Sequence, residues 1–476
     1  MIQFQHILNA LSAEKAIPTY PVRLLNVPFH GAFIDSRQVI PGSIFFAIPG
    51  EQTDGHNYVK NAFDNGAMLA IVEKEIEGFP TFSLDDIARA NSFPVCLKVE
   101  NSLETLQNLA RYWAATLQLK VVGITGSVGK SSTKELVTAV LRQKFSALKN
   151  RGNYNNEIGL PMSVLEAGLG NEIAVLEMGF YVPGEIAFLC DIAKPIVGVV
   201  TNIGTVHAER AGSREMIAKG KAELVQALPP NGTAILNDDD DLVRAMAKKT
   251  AAKVLFYGLT PHADLYADQI KGLGLNGVAL TFHYQGQDVP ATLPLIGQHS
   301  VYTALRAAAV GLTFGMNWQE IIAGLQQADA QLRLTATRLP NGATILDDSY
   351  NAAPESTCAA LDLLHEVTDP AIPQRHIAVL GEMYELGQYE LSGHTQVGRH
   401  AVETCDILIG VGDRSKIITE TALKAGMDTD SVFWMPDVPQ TIDLLRKTLM
   451  QNDVILIKGS HGLRMDRITW ALERNA

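Results

Sequence analysis

The stretch Val121–Ser132, VVGITGSVGKSS, limits what this chain can become more than any other. A run rich in β-branched residues enters a turn with Gly123, Gly126 and Gly129, and Lys130, Ser131 and Ser132 lead into TKELVTAVLRQKF, which has a helical pattern. Strand, glycine turn and helix in that order belong to a buried parallel sheet. The turn's amide N–H groups and the positive end of the helix together make a seat for a nucleotide phosphate. The side chain of Lys130 is long enough to reach outer phosphates, and a hydroxyl just after it suits Mg²⁺. Ile124 stands where the usual spacing puts its first glycine, so this is a variant phosphate loop. Its candidate contacts are Gly126, Ser127, Gly129, Lys130, Ser131 and Ser132.

A chain of 476 residues is too long for one hydrophobic core and divides into about two to four domains. With 47% apolar and 19% charged residues it is globular, not disordered. The net charge of -12 argues against nucleic acid as the principal partner, while excluding no small anionic ligand. Cys96, Cys190, Cys358 and Cys405 are scattered, forming neither a metal knuckle nor a disulfide framework. Reduced thiols in a cytoplasmic protein are the simplest account. The start, MIQFQHILNALSAEK, lacks the basic leader and apolar core of a signal peptide, and no stretch reaches the ~20 apolar residues of a membrane span.

Along the chain, IFFAI reads as a strand, and YVKNAFDNGAMLAIV as a helix, a glycine stop and another strand. Asp35, Ser36, Arg37, Asp54 and His56 cluster at element ends there, equally suited to turns and to a ligand. Asn101–Leu117 reads as a helix leading into the centre. RGNYNNEIG crowds Arg151, Asn153, Asn155 and Asn156 into a segment fit for turns or substrate contact.

EIAVLEMG is a strand ending at Glu177, and PIVGVVTNIGTVHAE is another that releases Asn202 and His207. Groups just beyond strand C-termini face the ligand crevice of an open parallel sheet. Glu177, His207 and the hydroxyl after Lys130 thus converge on one phosphate-bound metal. SREMIAKGKAELVQAL reads as a helix whose Lys219 and Lys221 are, on composition, solvated. NDDDD is an acidic loop for a helix cap or a ribose. Residues 266–295 read as a β-rich excursion. From about Gln331, four buried strands each release polar groups at their ends, including Asp347, Asp348, Tyr350 and Asn351, which implies a second nucleotide-like or peptide-handling domain.

Taken together, IDSRQVIPGSIFFAIPG, DGHNYV, GITGSVGKSSTKE, RGNYNNEIGLP, EMG, TNIGTVHAE, ILDDSYNAAPES, VLGEMYELG and LIKGSHGLRM occur in order over nearly the whole chain. In this the sequence resembles the Mur ligases of peptidoglycan synthesis. The resemblance implies an α/β, three-domain architecture: a small N-terminal α/β domain for the UDP-sugar at 1–103, a central P-loop ATPase with a mostly parallel sheet at 104–330, and a Rossmann-like C-terminal domain at 331–476. It further implies an ATP-dependent ligase joining D-alanyl-D-alanine to UDP-N-acetylmuramoyl-tripeptide through an acyl phosphate, working as a cytoplasmic monomer without nucleic acid or a membrane span.

By the same resemblance, Ser36 and Arg37 meet the UDP moiety, and Asn155 and Asn156 lie beside the reacting end of the peptide. Lys130 holds ATP phosphates. Ser131, Glu177 and His207 are implied ligands of Mg²⁺, two ions in all, and Lys221 aligns with a lysine that becomes carbamylated. Arg333, Asp348 and Asn351 face the nucleotide from the C-terminal domain, and His299 from the centre. The sequence departs from the family pattern at Ser300, Thr303, Ala353 and His461, with Arg464 a candidate to compensate for the last. The alternatives are a ligase adding a single amino acid, as a third-residue muramoyl ligase or folylpolyglutamate synthase does, or a nucleotide-binding scaffold that joins nothing.

Overall fold

Three principal β-sheets organise the chain, each grown from strand–turn–helix units of the kind the sequence announces. The computed structural model describes residues 1–12, 22–206, 208–298, 300–327, 334–367 and 372–474. His207, His299 and Arg333, three of the expected site residues, lie outside the described residues.

The first sheet contains β1 (Ala32–Phe33), β2 (Ile44–Phe46), β3 (Leu69–Val72), β4 (Thr81–Ser83) and β5 (Val95–Lys98), all parallel, in the order β1-β2-β3-β5-β4. The polar cluster beside it is a fastener. Asp54 Oδ1 accepts from the His56 backbone at 2.9 Å and meets His56 Nδ1 at 2.5 Å, while His56 Nε2 accepts from the Glu73 N–H at 2.8 Å. Because Nε2 accepts, the ring proton sits on Nδ1, facing Asp54. Helix α1 (Ser102–Leu117) follows, capped by Asn101, whose Oδ1 accepts from the Glu104 N–H at 2.8 Å.

The second sheet has nine strands: β6 (Lys120–Thr125), β7 (Ala147–Lys149), β8 (Ile173–Glu177), β9 (Val197–Val200), β10 (Thr233–Asn237), β11 (Lys253–Gly258), β12 (Leu265–Gly272), β13 (Val278–Tyr284) and β14 (Gln287–Leu293). Their order is β14-β13-β12-β11-β10-β9-β6-β8-β7, and only the excursion β12–β14 pairs antiparallel. Alternate residues of the parallel strands feed two cores. Val121, Leu176 and Val200 enter one with helix α4 (Arg214–Gln226), and Val122, Val175 and Val199 enter the other with α2 (Lys130–Leu141) and α5 (Ser300–Thr313). Each fully buried Val, Leu or Ile is stabilising by about 1.5–3 kcal/mol. A short helix, α3 (Gly159–Leu165), joins β7 to β8 and rests on β1 of the first sheet.

The third sheet contains β15 (Thr335–Arg338), β16 (Thr344–Asp348), β17 (His376–Gly381), β18 (Ile407–Val411), β19 (Val432–Met435) and β20 (Val454–Lys458), in the order β15-β16-β20-β17-β18-β19. Only β15 runs antiparallel. The four strands read from the sequence are neighbours, so their C-terminal ends share one edge. Among the described residues, no helix is long and apolar enough to cross a membrane.

Candidate active site

In the central sheet β6 lies between β8 and β9, with Ile124 opposite Glu177 and Thr125 opposite Val200. Strand order reverses here. The chain runs to one side through β7 and β8 and to the other through β9 and β10, which opens a crevice at the strand C-termini. Three turns meet in it: the phosphate loop after β6, Glu177–Gly179 after β8, and Thr201–Asn202 after β9.

Backbone geometry dictates the loop's glycine. Gly126 has φ of 147°, and a Cβ there would lie 1.8 Å from Thr201 Oγ1, so no side chain fits. The β9 turn clasps the loop: Thr201 Oγ1 donates to the Val128 carbonyl at 2.7 Å, and Asn202 Oδ1 accepts from the Val128 N–H at 2.9 Å. Helix α2 then starts at Gly129 with no side-chain cap, whereas Asn101 and Ser213 cap α1 and α4. An uncapped helix start beside a glycine loop suits an anion. Lys130 Nζ donates to the carbonyls of Gly126 at 2.9 Å and Ser127 at 3.3 Å.

Glu177 is the hub of the floor. It is 2% exposed, its Oε2 accepts from Ser131 Oγ at 2.6 Å, and its Oε1 accepts from Asn155 Nδ2 at 3.1 Å. Asn150 fixes its backbone from both sides, accepting the Glu177 N–H at 2.9 Å and donating to its carbonyl at 3.0 Å. Lys134, buried on α2, stands 3.9 Å from Glu177 Oε2. The hydroxyl and the carboxylate are hard oxygen donors of the kind Mg²⁺ prefers.

Lys221 overturns the compositional reading that left both helix lysines in water. Lys219 is exposed, but Lys221 is 0% exposed and its Nζ donates to the Gly126 carbonyl at 3.0 Å. Small residues deliver it there. A Cβ on Gly220 would strike the Phe180 ring at 2.0 Å, and one on Gly123 would meet Leu224 at 2.8 Å, so helix and sheet approach only because both are glycine. Burial pulls the Lys221 pKa well below the ordinary lysine value, Lys130 adds repulsion, and Glu177 opposes both.

Across the floor, the C-terminal domain forms the other wall of a cleft of 590 Å³. Asp348 and Asn351 line it, as expected, and Lys458 joins them. Lys458 Nζ pairs with Asp348 Oδ2 at 2.5 Å and donates to the Asn351 carbonyl at 2.9 Å. The strand register sets this pair, because Asp348 and Lys458 are direct partners at the ends of β16 and β20. The two walls touch where the Glu209 N–H donates to the Glu385 carbonyl at 3.2 Å and Gln388 Nε2 to the Gly212 carbonyl at 3.1 Å.

Not every candidate reaches this cleft. Ser36 is buried in the N-terminal domain, while Arg37 is exposed and paired with Asp35 at 2.7 Å. Asn156 spends its side-chain oxygen on the Gly159 N–H at 2.9 Å, at the start of α3. The acidic loop caps a helix and also reaches the cleft: Asp240 Oδ1 accepts from the N–H groups of Leu242 and Val243, and the residue lines the cleft as well. Ser300 and Thr303 do line the cleft, where Ser300 Oγ donates to the Gly297 carbonyl at 2.6 Å and Thr303 Oγ1 accepts from Arg306. His461 lies against the Tyr350 ring, while Arg464 turns onto Asp466 and does not line the cleft.

Asn150, Lys134, Lys458 and Arg306 were not singled out from the sequence. A charge closing the buried strand VILIK, and another inside the apolar helix VYTALRAAAVGL, were the available signals.

Residues 28–113, 124–311 and 332–461 match, in turn, the Mur ligase family catalytic domain, the Mur ligase middle domain and the Mur ligase glutamate ligase domain. The UDP-N-acetylmuramoyl-tripeptide--D-alanyl-D-alanine ligase of Mycobacterium tuberculosis is 36% identical over 466 residues, covering 92% of this chain and 91% of its own. Among solved structures, MurF from Acinetobacter baumannii superimposes with a TM-score of 0.82 at 28% identity, over 99% of each chain. The MurF ligase of Thermotoga maritima in complex with ADP gives 0.78 at 28% identity, over 93% of this chain and 97% of that one.

Proposed function

The chain belongs to the Mur ligase family, and from that premise we propose that it joins the amine of D-alanyl-D-alanine to the terminal carboxylate of UDP-N-acetylmuramoyl-tripeptide, converting ATP to ADP and phosphate. The reaction class rests on the 2.6 Å contact between Ser131 and Glu177 beside the phosphate loop. The dipeptide acceptor rests on likeness, along more than nine-tenths of the chain, to ligases of that activity.

A carboxylate cannot expel its own oxygen as oxide, so it is first phosphorylated. The acyl phosphate is then attacked by the dipeptide amine, and the tetrahedral adduct releases phosphate. The protein's part is positioning and neutralising charge. Lys130 exchanges its carbonyl partners at Gly126 and Ser127 for the outer phosphates of the nucleotide. Ser131 and Glu177 would hold Mg²⁺, with His207 as the further ligand the family resemblance implies, and the metal would supply Lewis-acid neutralisation of phosphoryl charge. Asn155 keeps the Glu177 carboxylate turned toward Ser131. Asp348, Asn351 and Lys458 approach the nucleotide from the far wall, the family resemblance adds Arg333 from the same domain and His299 from the central one, and closure of the two walls excludes water from the acyl phosphate.

Lys221 is the second metal-facing group in this reading, after CO₂ adds to its amine with loss of a proton to give a carbamate. Burial supports the modification, because a lysine held below its ordinary pKa offers the neutral amine that CO₂ requires. Residues 1–103, with Ser36 and Arg37, take the UDP end. Residues 104–330 take ATP, and residues 331–476 close over both.

The test offers purified protein Mg²⁺, ATP and the UDP-tripeptide with D-Ala-D-Ala, lysine, diaminopimelate or glutamate, and follows ADP release and the UDP-linked product. The expected result is a UDP-pentapeptide with the dipeptide alone. An amide formed with a single amino acid instead would reassign the acceptor, and no amide at all would reduce the chain to a scaffold.

A further inference from the structure

Arg306 is an arginine in an otherwise small and apolar stretch of α5, and it is 4% exposed. Its Nη2 donates to Thr303 Oγ1 at 2.9 Å, its guanidinium carbon lies 5.9 Å from the centre of the Tyr257 ring, and its Nε has no hydrogen-bond partner. Among the described residues no carboxylate lies within ion-pair distance of it. A buried cation without a counter-charge is strongly unfavourable, and folded proteins rarely keep one unless something anionic arrives. Arg306 lines the cleft, and its guanidinium nitrogens stand 3.4 Å from where a Cβ on Gly129 would be. Lys130 caps the carbonyls of Gly126 and Ser127 at the start of the phosphate turn, so the two cations bracket the turn from its opposite ends.

We propose that Arg306 is a nucleotide-binding residue whose guanidinium takes a phosphate oxygen of the ATP or ADP chain from the Gly129 end of the loop. The assignment rests on the ligase reading above, and it gives the buried charge the partner that the protein itself withholds. A guanidinium has donors only, so it matches phosphate oxygens and cannot accept from the adenine amino group.

The experiment compares wild-type, Arg306→Met and Arg306→Lys full-length protein in Mg²⁺. It measures ADP and adenosine binding by calorimetry, and melting temperature alongside. A charge-assisted hydrogen bond of about 1.5–3 kcal/mol corresponds to a loss of about 10- to 150-fold in ADP affinity for the Met variant. Adenosine affinity is expected to stay unchanged, and the Lys variant to fall between. ADP affinity equal to wild type in a folded Met variant overturns the assignment, leaving Arg306 a strut between α5 and the loop. An equal loss for adenosine also overturns it, in favour of a base or ribose contact. Should the Met variant not fold, the Lys variant decides. A several-fold loss confined to ADP supports the proposal, and no loss refutes it. Wild-type protein that binds no ADP overturns the ligase reading itself and this assignment with it.

Discussion

The two walls of the cleft are built on different plans. The floor, from the central domain, is a single hydrogen-bonded piece: Asn150 holds the Glu177 backbone, Ser131 and Asn155 hold its carboxylate, and Thr201 and Asn202 hold the phosphate loop. Its functional groups are fixed by strand register and by close approach of helix to sheet. The far wall, from the C-terminal domain, carries the ion pair of buried Lys458 with half-buried Asp348, and leaves Tyr350 42% exposed. Chemistry at a phosphoryl group needs charges set in place beforehand, which under the proposed function is the floor's part. Admitting two large substrates needs a wall that docks late, which the other plan allows.

The sharpest way to break this comparison is Lys130→Ala. If the floor holds the phosphoryl-transfer machinery, turnover falls by about 10²–10³-fold or more while UDP-tripeptide binding persists, as steady-state rates and calorimetry would record. Lys221→Ala comes next, with an expected loss of about 10²-fold in turnover and a smaller change in ADP affinity. Unchanged turnover would remove the carbamate from the scheme, and an intact-mass measurement of the native protein would look for the added CO₂ directly.

Changes in the far wall should act first on its own stability. Lys458→Met leaves the Asp348 carboxylate without its cation, and the C-terminal domain should lose about 1–3 kcal/mol in denaturant unfolding. A loss spread equally over the central domain would mean the walls are not separate units. Gly220→Ala tests the floor's construction instead of its chemistry. The added methyl meets the Phe180 ring, so about 1–3 kcal/mol of stability should go. Turnover should fall with it, because Lys221 shares that turn.

The smallest effect is expected in neither wall. His283, on the antiparallel excursion, bonds Asp268 through Nε2 at 2.7 Å and Asp288 through Nδ1 at 2.8 Å. The Asp268 hydrogen bond leads in raising its pKa, Asp288 adds to it, and burial opposes both. A raised folded-state pKa contributes stability that is complete below the unfolded value of about 6.5, and loses it as pH climbs through the folded value. His283→Asn should therefore cost stability at about pH 5.5 and almost none at about pH 9, with turnover unaffected at either. A loss that grows with pH would contradict the sign.

Much of the floor was legible before any fold was seen. Glycine spacing, Lys130 and the strand ending at Glu177 announce a phosphate site because each depends on neighbours within a few residues. Asn156 shows where reading stops. Its loop invites a substrate contact, yet its side-chain oxygen begins a helix, since local capping competes for any short amide. Asp54 and His56 likewise serve the N-terminal sheet.

By itself, the sequence determined three α/β units, a phosphate turn of unusual spacing and the order of strands that release polar groups, because backbone preference and apolar periodicity are local. Tertiary structure alone decided that Lys221 is dry while Lys219 is wet, that Lys458 faces Asp348 across 110 residues of chain, and that Arg306 meets Gly129. Burial and charge pairing depend on which surfaces are pressed together, and no window of neighbouring residues contains that information.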